Sequence, residues 1–390
     1  MENIKQFSNY RNILYNANNI KILFIKYIII FLCFSSNNSL RTSINRIISF
    51  TDVNQILLKV KGESKSQVIY PKFNNKPYIY YLNDEPIPKR FKESSIDLPE
   101  SENIVKLIFD DKVEDCRSMF NGSSNITEID LSNFISSNIK HINSMFNGCT
   151  SLKKIRFGNF QTSQVTYMER VFYRCSSLTT LDLSSFDTSK VTHFHEMFYG
   201  CSSLKYLDLS HFDSSKITCA HNMFNGCTSI TSINLSNFDA SKITIIQYMF
   251  NNCKNLISLD LSSFKFGNLT NIESMFNNCE KLEFVNLNKT NISDVKKNNN
   301  MIKNTAKNIV FCVNESKTSI LNQQMESNSC STRTSDCTNW RKYQKKIIPE
   351  LNKCLDNCPD EYPFEYLGKC YNNCPLGTIK IDFMCYDCIP

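Results

Sequence analysis

Phenylalanine returns every 26 residues through the middle of the chain, at Phe120, Phe146, Phe172, Phe198, Phe224, Phe250 and Phe276. The residue before it is Met119, Met145, Met197, Met223, Met249 or Met275, and only Val171 interrupts that column. Three residues after it stands Cys149, Cys175, Cys201, Cys227, Cys253 or Cys279, with Ser123 in the first unit. A fixed period between about 20 and 50 residues marks a solenoid, whose units cannot bury their apolar faces alone and must stack. An enzyme is not expected, because a repeat yields ladders of like residues rather than a converging set of unlike ones.

The best-formed unit runs from Cys175 to Phe198, with Leu178, Leu181 and Leu183 in the L-x-x-L-x-L spacing of a leucine-rich repeat. Leu181 and Leu183 are two apart, so on a strand both face inward while Thr180, Asp182 and Ser184 face outward. The inward pair recurs as Ile129/Leu131, Ile155/Phe157, Leu207/Leu209, Ile233/Leu235, Leu259/Leu261 and Val285/Leu287. Phe134, Phe160, Phe186, Phe212, Phe238 and Phe264 form a second aromatic column. Val165, Val191, Ile217 and Ile243 close the far wall with the Met-Phe pair, as a short helix or turn. The predicted fold is an α/β repeat solenoid: a leucine-rich-repeat stack with a parallel β-sheet, short helices or turns, and a small disulfide-rich C-terminal module. Met301 and Phe311-Cys312-Val313 keep the phase and extend it into a degenerate last unit. The cysteine ladder reads as small buried hydrophobes. Parallel side-chain vectors rarely meet disulfide torsions, and a straight ladder does not converge on a metal.

Outside the repeat, composition sorts the chain into five stretches. Residues 1–50 carry Lys5, Arg11, Lys21, Lys26, Arg41 and Arg46 against Glu2, a balance of +5 out of the chain's formal +7. What remains is too little positive charge to argue for a nucleic-acid partner. Lys5, Arg11 and Lys21 precede the apolar run Ile22–Phe34, interrupted by Lys26, which predicts a signal peptide or uncleaved anchor over 1–38. Residues 39–102 read as a β-rich cap, 103–314 as the solenoid, 315–353 as a linker and 354–390 as a cysteine-rich module, complete or truncated. Of the eighteen cysteines, Cys330, Cys337, Cys354, Cys358, Cys370, Cys374, Cys385 and Cys388 crowd into the tail, as a disulfide framework of open connectivity. Asn-x-Ser/Thr acceptors at Asn121, Asn125, Asn234, Asn268, Asn288, Asn291 and Asn314 agree with secretion, although many such matches arise by chance in an asparagine-rich chain.

The unit Met-Phe-x-Gly-Cys-x-Ser-Leu-x-x-Leu-Asp-Leu-Ser-x-Phe-Asp-Thr-Ser-Lys-Val-Thr, carried by Met197–Phe224, Met223–Phe250 and their neighbours, closely resembles the leucine-rich repeats of BspA-like surface proteins. These occur in bacteria, including mycoplasmas, and in some microbial eukaryotes. The resemblance covers about residues 103–314. It implies an extracellular or surface-attached protein, often linked with adhesion, and brings no catalytic residues. Cys354-x3-Cys358-Pro359 and Cys370-x3-Cys374-Pro375, with Cys385-x2-Cys388, look like the Cys-Pro repeats of eukaryotic cysteine-rich ectodomains.

Candidate binding residues follow from the outward strand positions: Arg156, Thr180, Asp182, Tyr206, Asp208, Asn234, Asp260 and Phe284. Tyr206, Phe284 and Arg156 are the best anchors, since aromatics and arginine dominate interface energetics. The plainer reading of this strip is a solvated face that keeps the sheet soluble. His195-Glu-Met-Phe-Tyr199 breaks the H-E-x-x-H pattern, and His195 with His221 supplies at most two ligands, so no metal or cofactor is expected. The expected function is secreted or cell-surface recognition of an extracellular protein or glycan, with no nucleic acid and membrane contact only through the leader or a missing C-terminal anchor. An ectodomain fragment of a membrane receptor and an intracellular scaffold with a zinc-binding tail are the rival readings, and a hydrolase a distant third.

Overall fold

In-register stacking at the 26-residue period shapes the whole middle of the molecule. The computed structural model describes residues 54–62, 65–75, 77, 79–87, 95–110, 112–290, 292, 295–313, 319–326, 330–376 and 378–387. The leader expected at 1–38 lies outside them. The N-terminal region contributes β1 (Gln55–Lys61), β2 (Lys65–Gln67), β3 (Ile79–Leu82), β4 (Glu85–Ile87), β5 (Ser95–Asp97) and β6 (Glu102–Ile108). In β1 the alternation of Ile56, Leu58 and Val60 buries one face. That strand lies antiparallel between β6 and β7 (Ile126–Asp130), so it covers the open end of the first coil. An exposed strand edge is thereby paired within the chain.

The coils add β8 (Lys154–Arg156), β9 (Tyr206–Asp208), β10 (Ser232–Asn234), β11 (Ser258–Asp260), β12 (Phe284–Asn286) and β13 (Val310–Cys312). Parallel pairs hold the period: Ile129 opposes Ile155, Leu207 opposes Ile233, and Leu259 opposes Val285. The unit closest to the leucine-rich consensus, at Thr180–Asp182, forms no strand. It lies beside Phe157, which stands where other coils carry leucine and packs edge-on to Phe146, Phe172 and Phe186. Ile155 and Leu181 are only partly buried there.

The far wall is built of turns, which corrects the α/β expectation to a β-solenoid. Each coil places two residues in the left-handed region around its Met-Phe pair, such as Glu196 (φ 56°) and Gly200 (φ 70°), or Tyr248 (φ 59°) and Asn252 (φ 59°). A left-handed residue cannot propagate a right-handed helix. The turn N–H groups bond to the next coil instead: Ser144 to the Glu169 carbonyl at 3.0 Å, Phe146 to Val171 at 2.9 Å, Gly148 to Tyr173 at 2.8 Å. The sole α-helix among the described residues, α1 (Ser319–Glu326), follows the repeats.

Inside, the phenylalanines stack nearly parallel, with Phe172–Phe198 at 5.7 Å and Phe198–Phe224 at 5.5 Å between centroids. The ladder thiols are buried and free. Each donates to a phenylalanine carbonyl of the preceding coil, Cys201 to Phe172 and Cys227 to Phe198 at 3.1 Å. Burial pushes the thiols of Cys201 and Cys279 up to about 12.

Within 315–353, expected as a linker, the described residues form regular structure. They include α1, β14 (Thr332–Thr334) and β15 (Lys346–Ile348), and β14 extends the solenoid sheet by pairing parallel to β13. After it come β16 (Lys353–Leu355), β17 (Phe364–Tyr366), β18 (Lys369–Tyr371), β19 (Thr378–Ile381) and β20 (Met384–Asp387). These form one sheet in the order β16-β15-β18-β17-β20-β19. Disulfides join Cys312–Cys337, Cys330–Cys354, Cys358–Cys370 and Cys374–Cys385. Seven of the expected tail cysteines are thus paired, and Cys388 lies outside the described residues. Cys312, read as an ordinary strand residue, joins the framework because its coil is the last and the chain leaving β14 brings Cys337 alongside it. No helix among the described residues is long and apolar enough to cross a membrane.

Candidate recognition surface

Strand alternation puts Arg156, Tyr206, Asp208 and Asp260 on the exposed face, with Asn234 half-buried, and Thr180 and Asp182 are exposed at the equivalent positions of the unit without a strand. The parallel register sets Asp208 against Asn234 and Tyr206 against Ser232. Tyr206 is half exposed, and its hydroxyl donates to Asp208 Oδ2 at 3.2 Å. Arg156 lies 3.5 Å from Asp130 and 3.9 Å from Glu128, while Glu128 also takes Lys59 at 2.8 Å. The arginine therefore belongs to a charge network at the N-terminal end of the strip.

The acidic column has a structural task that the sequence reading missed. Asp182, Asp208 and Asp260 each accept the backbone N–H two residues on, from Ser184 at 3.0 Å, Ser210 at 2.9 Å and Ser262 at 2.8 Å. Asn234 does the same for Ser236 at 3.2 Å. These Asx turns bend the chain out of each strand. The Ser184 and Ser210 backbone bonds hold the carboxyls of Asp182 and Asp208 below the usual range. Aspartate followed two residues later by serine, unit after unit, was the available signal.

Phe284 leaves the candidate surface. It is 8% exposed, and the Trp340 ring stacks on it at 4.8 Å with Arg341 above the indole at 5.0 Å. The chain following the last coil folds back over this end of the strip.

On the turn wall lies a second cluster that the sequence reading did not select. Tyr173 and Tyr199 stack at 4.7 Å, Arg174 sits over Tyr173 at 5.3 Å, and Arg170 pairs with Glu196. Next to them His195 and His221 stack at 5.0 Å, and the half-exposed Cys219 contacts His221 Nδ1 at 3.1 Å. Burial first, then His221, drives His195 down to about 4. The missed signal was column departure: Arg174 (φ 55°) occupies a left-handed position that other coils give to glycine or asparagine. Among the described residues no group of three or more histidine, cysteine or acidic side chains could hold a metal.

The repeat coils are matched by the family described as "Mycoplasma protein of unknown function, DUF285", over residues 114–232 and 200–312. Together the matches span about half of the chain. The chain belongs to the DUF285 family. In this DUF285 protein the match opens at the coil capped by β1 and closes on Cys312 of β13, so the capping strands and the disulfide-closed region lie outside it. Comparison with curated proteins gave no match.

Proposed function

We propose that this DUF285 protein is a non-catalytic, secreted or surface-displayed recognition protein of BspA-like leucine-rich-repeat type. Its strand face binds an extracellular protein or glycan. The observation carrying this reading is the half-exposed Tyr206, held by Asp208 on a rigid ladder between Thr180 and Asn234. Rigid aromatic groups on a fixed sheet lose little entropy on binding. Four disulfides support an oxidising compartment. They also leave those thiols unavailable to zinc, which weighs against the intracellular scaffold.

The test uses the full chain against immobilised matrix proteins and a glycan array. Tyr206→Ala with Arg156→Ala avoids the Asx turns and should lower affinity by roughly tenfold or more, with unchanged circular dichroism. Unchanged affinity for a bound partner removes this face from the proposal, and binding to none of the panel counts against the function itself.

A further inference from the structure

The solenoid ends in a polar cavity of about 1000 Å³, walled by the last coil, α1 and the turn before β16. Its size falls within the range of small-molecule sites. Amide side chains dominate the wall, among them Asn304, Gln323, Gln324 and Asn352, and the charged groups are Lys303 and Lys307. Among the described residues, no aspartate or glutamate lines it.

The end of a ladder explains why polar groups gather there. Asn278 Nδ2 donates to Asn252 Oδ1 at 2.8 Å, and Asn304 Nδ2 donates to Asn278 Oδ1 at 2.7 Å. One period further on the chain has Cys330, committed to Cys354, so the amide column stops at Asn304. Among the described residues nothing donates to Asn304 Oδ1. Lys303 likewise stands where earlier coils carry Asn225, Asn251 and Asn277, which converts a column of amides into a cation. The Lys307 ammonium donates to Asn352, and neither lysine pairs with a carboxylate among the described residues.

The walls are fixed without a ligand. Met301 N–H donates to Gln324 Oε1 at 3.2 Å, which ties α1 to the last coil. Asn308 Nδ2 donates to the Lys345 carbonyl at 3.0 Å, and the Cys330–Cys354 disulfide closes the remaining side. A preformed site forfeits less entropy on binding.

We infer that this cavity binds an acidic saccharide, a sugar bearing a carboxylate. Amides both donate and accept, which suits vicinal hydroxyls, and two ammonium groups with no carboxylate beside them among the described residues select for negative charge. The site is separate from the strand face, so it stands or falls independently of Tyr206.

Ligand-observed NMR on the full chain, with 3′-sialyllactose and lactose as probes, tests it. Sialyllactose should bind and lactose should not. Lys303→Gln should weaken the complex about tenfold, and Gln323→Ala should weaken it further at unchanged salt dependence. Both side chains are exposed, so neither change should disturb folding. Absence of sialyllactose binding overturns the proposal. So does equal binding of lactose, or of glutarate as a carboxylate without a sugar. Affinity unchanged in both variants places the ligand elsewhere and overturns the assignment of the cavity.

Discussion

The coils and the C-terminal sheet solve the same problem in opposite ways. In the coils the phenylalanine, methionine and cysteine columns are buried against neighbouring units, and the described free thiols remain unpaired. In the C-terminal sheet Leu367 is 68% exposed and Phe383 is 70% exposed, while disulfides tie its strands together. Stacking lets each new unit share a core already begun, whereas a short segment alone cannot bury enough apolar area to offset its chain entropy. Cysteine accordingly acts as a packing residue in one region and as a crosslink in the other.

Reduction should break the molecule along that line. Loss of a native disulfide from a small domain costs about 2–5 kcal/mol. Dithiothreitol should therefore raise amide exchange across residues 346–387 and leave residues 120–290 protected. Equal loss of protection in both regions would show that the coils depend on the disulfides after all.

Truncating one ring in each region sharpens the contrast. Phe198 is fully buried between Phe172 and Phe224, so Phe198→Ala should cost about 3–5 kcal/mol in chemical denaturation. Phe383→Ala removes a largely exposed ring and should stay within about 0.5 kcal/mol. Similar costs for the two would mean that the phenylalanine stack is not the source of solenoid stability.

How much of this was legible beforehand depends on whether the information was periodic. The ladders were, because Phe198, Met197 and Cys201 recur at constant phase and burial follows from stacking. The far wall stayed open between a short helix and a turn because its decisive feature is a backbone angle: Glu196, Tyr248 and Arg174 all adopt the left-handed region, and their side chains share nothing. Asp182 and Asp208 were legible as an exposed column. Their Asx bonds are local to each unit, and a solvated face accounts for the same exposed column without them. Phe284 misled because its partner, Trp340, lies in a segment without the repeat.

Left-handed turns should exact a cost wherever a branched side chain is forced on them. Gly226 (φ 78°) is the second left-handed residue of its coil, after Asn222, with Gly200 beneath it. Gly226→Val should lower stability by about 1–2 kcal/mol, since β-branched residues are poorly accommodated at positive φ. Asn252→Gly at the next coil should be close to neutral in the same thermal melts. If both were neutral, the far wall would owe its geometry to something other than these residues.

The weakest expected effect is a pH dependence confined to the coils, and it arises from stacking itself. A ladder places like residues against one another, so His195 and His221 share a face at 5.0 Å, next to Glu196, Arg170 and His193. Burial leads the causes that lower both imidazoles, and His195 falls to about 4. The unfolded chain, titrating near the ordinary value of 6.5, then binds more protons than the folded one between these limits. Stability is complete above about pH 6.5 and declines as pH falls toward about 4. Both rings are partly exposed, so solvent screening limits the loss to about 1 kcal/mol. Asp182 and Asp208, held below the usual carboxylate range by their turn bonds, lose their contribution only at lower pH and leave this window clear. Unfolding midpoints should drop slightly between pH 7 and pH 5 for the parent chain, and His195→Asn with His221→Asn should flatten that slope. A parent midpoint independent of pH, or a double variant that parallels it, would mean that the stacked imidazoles are solvated as freely as an isolated pair.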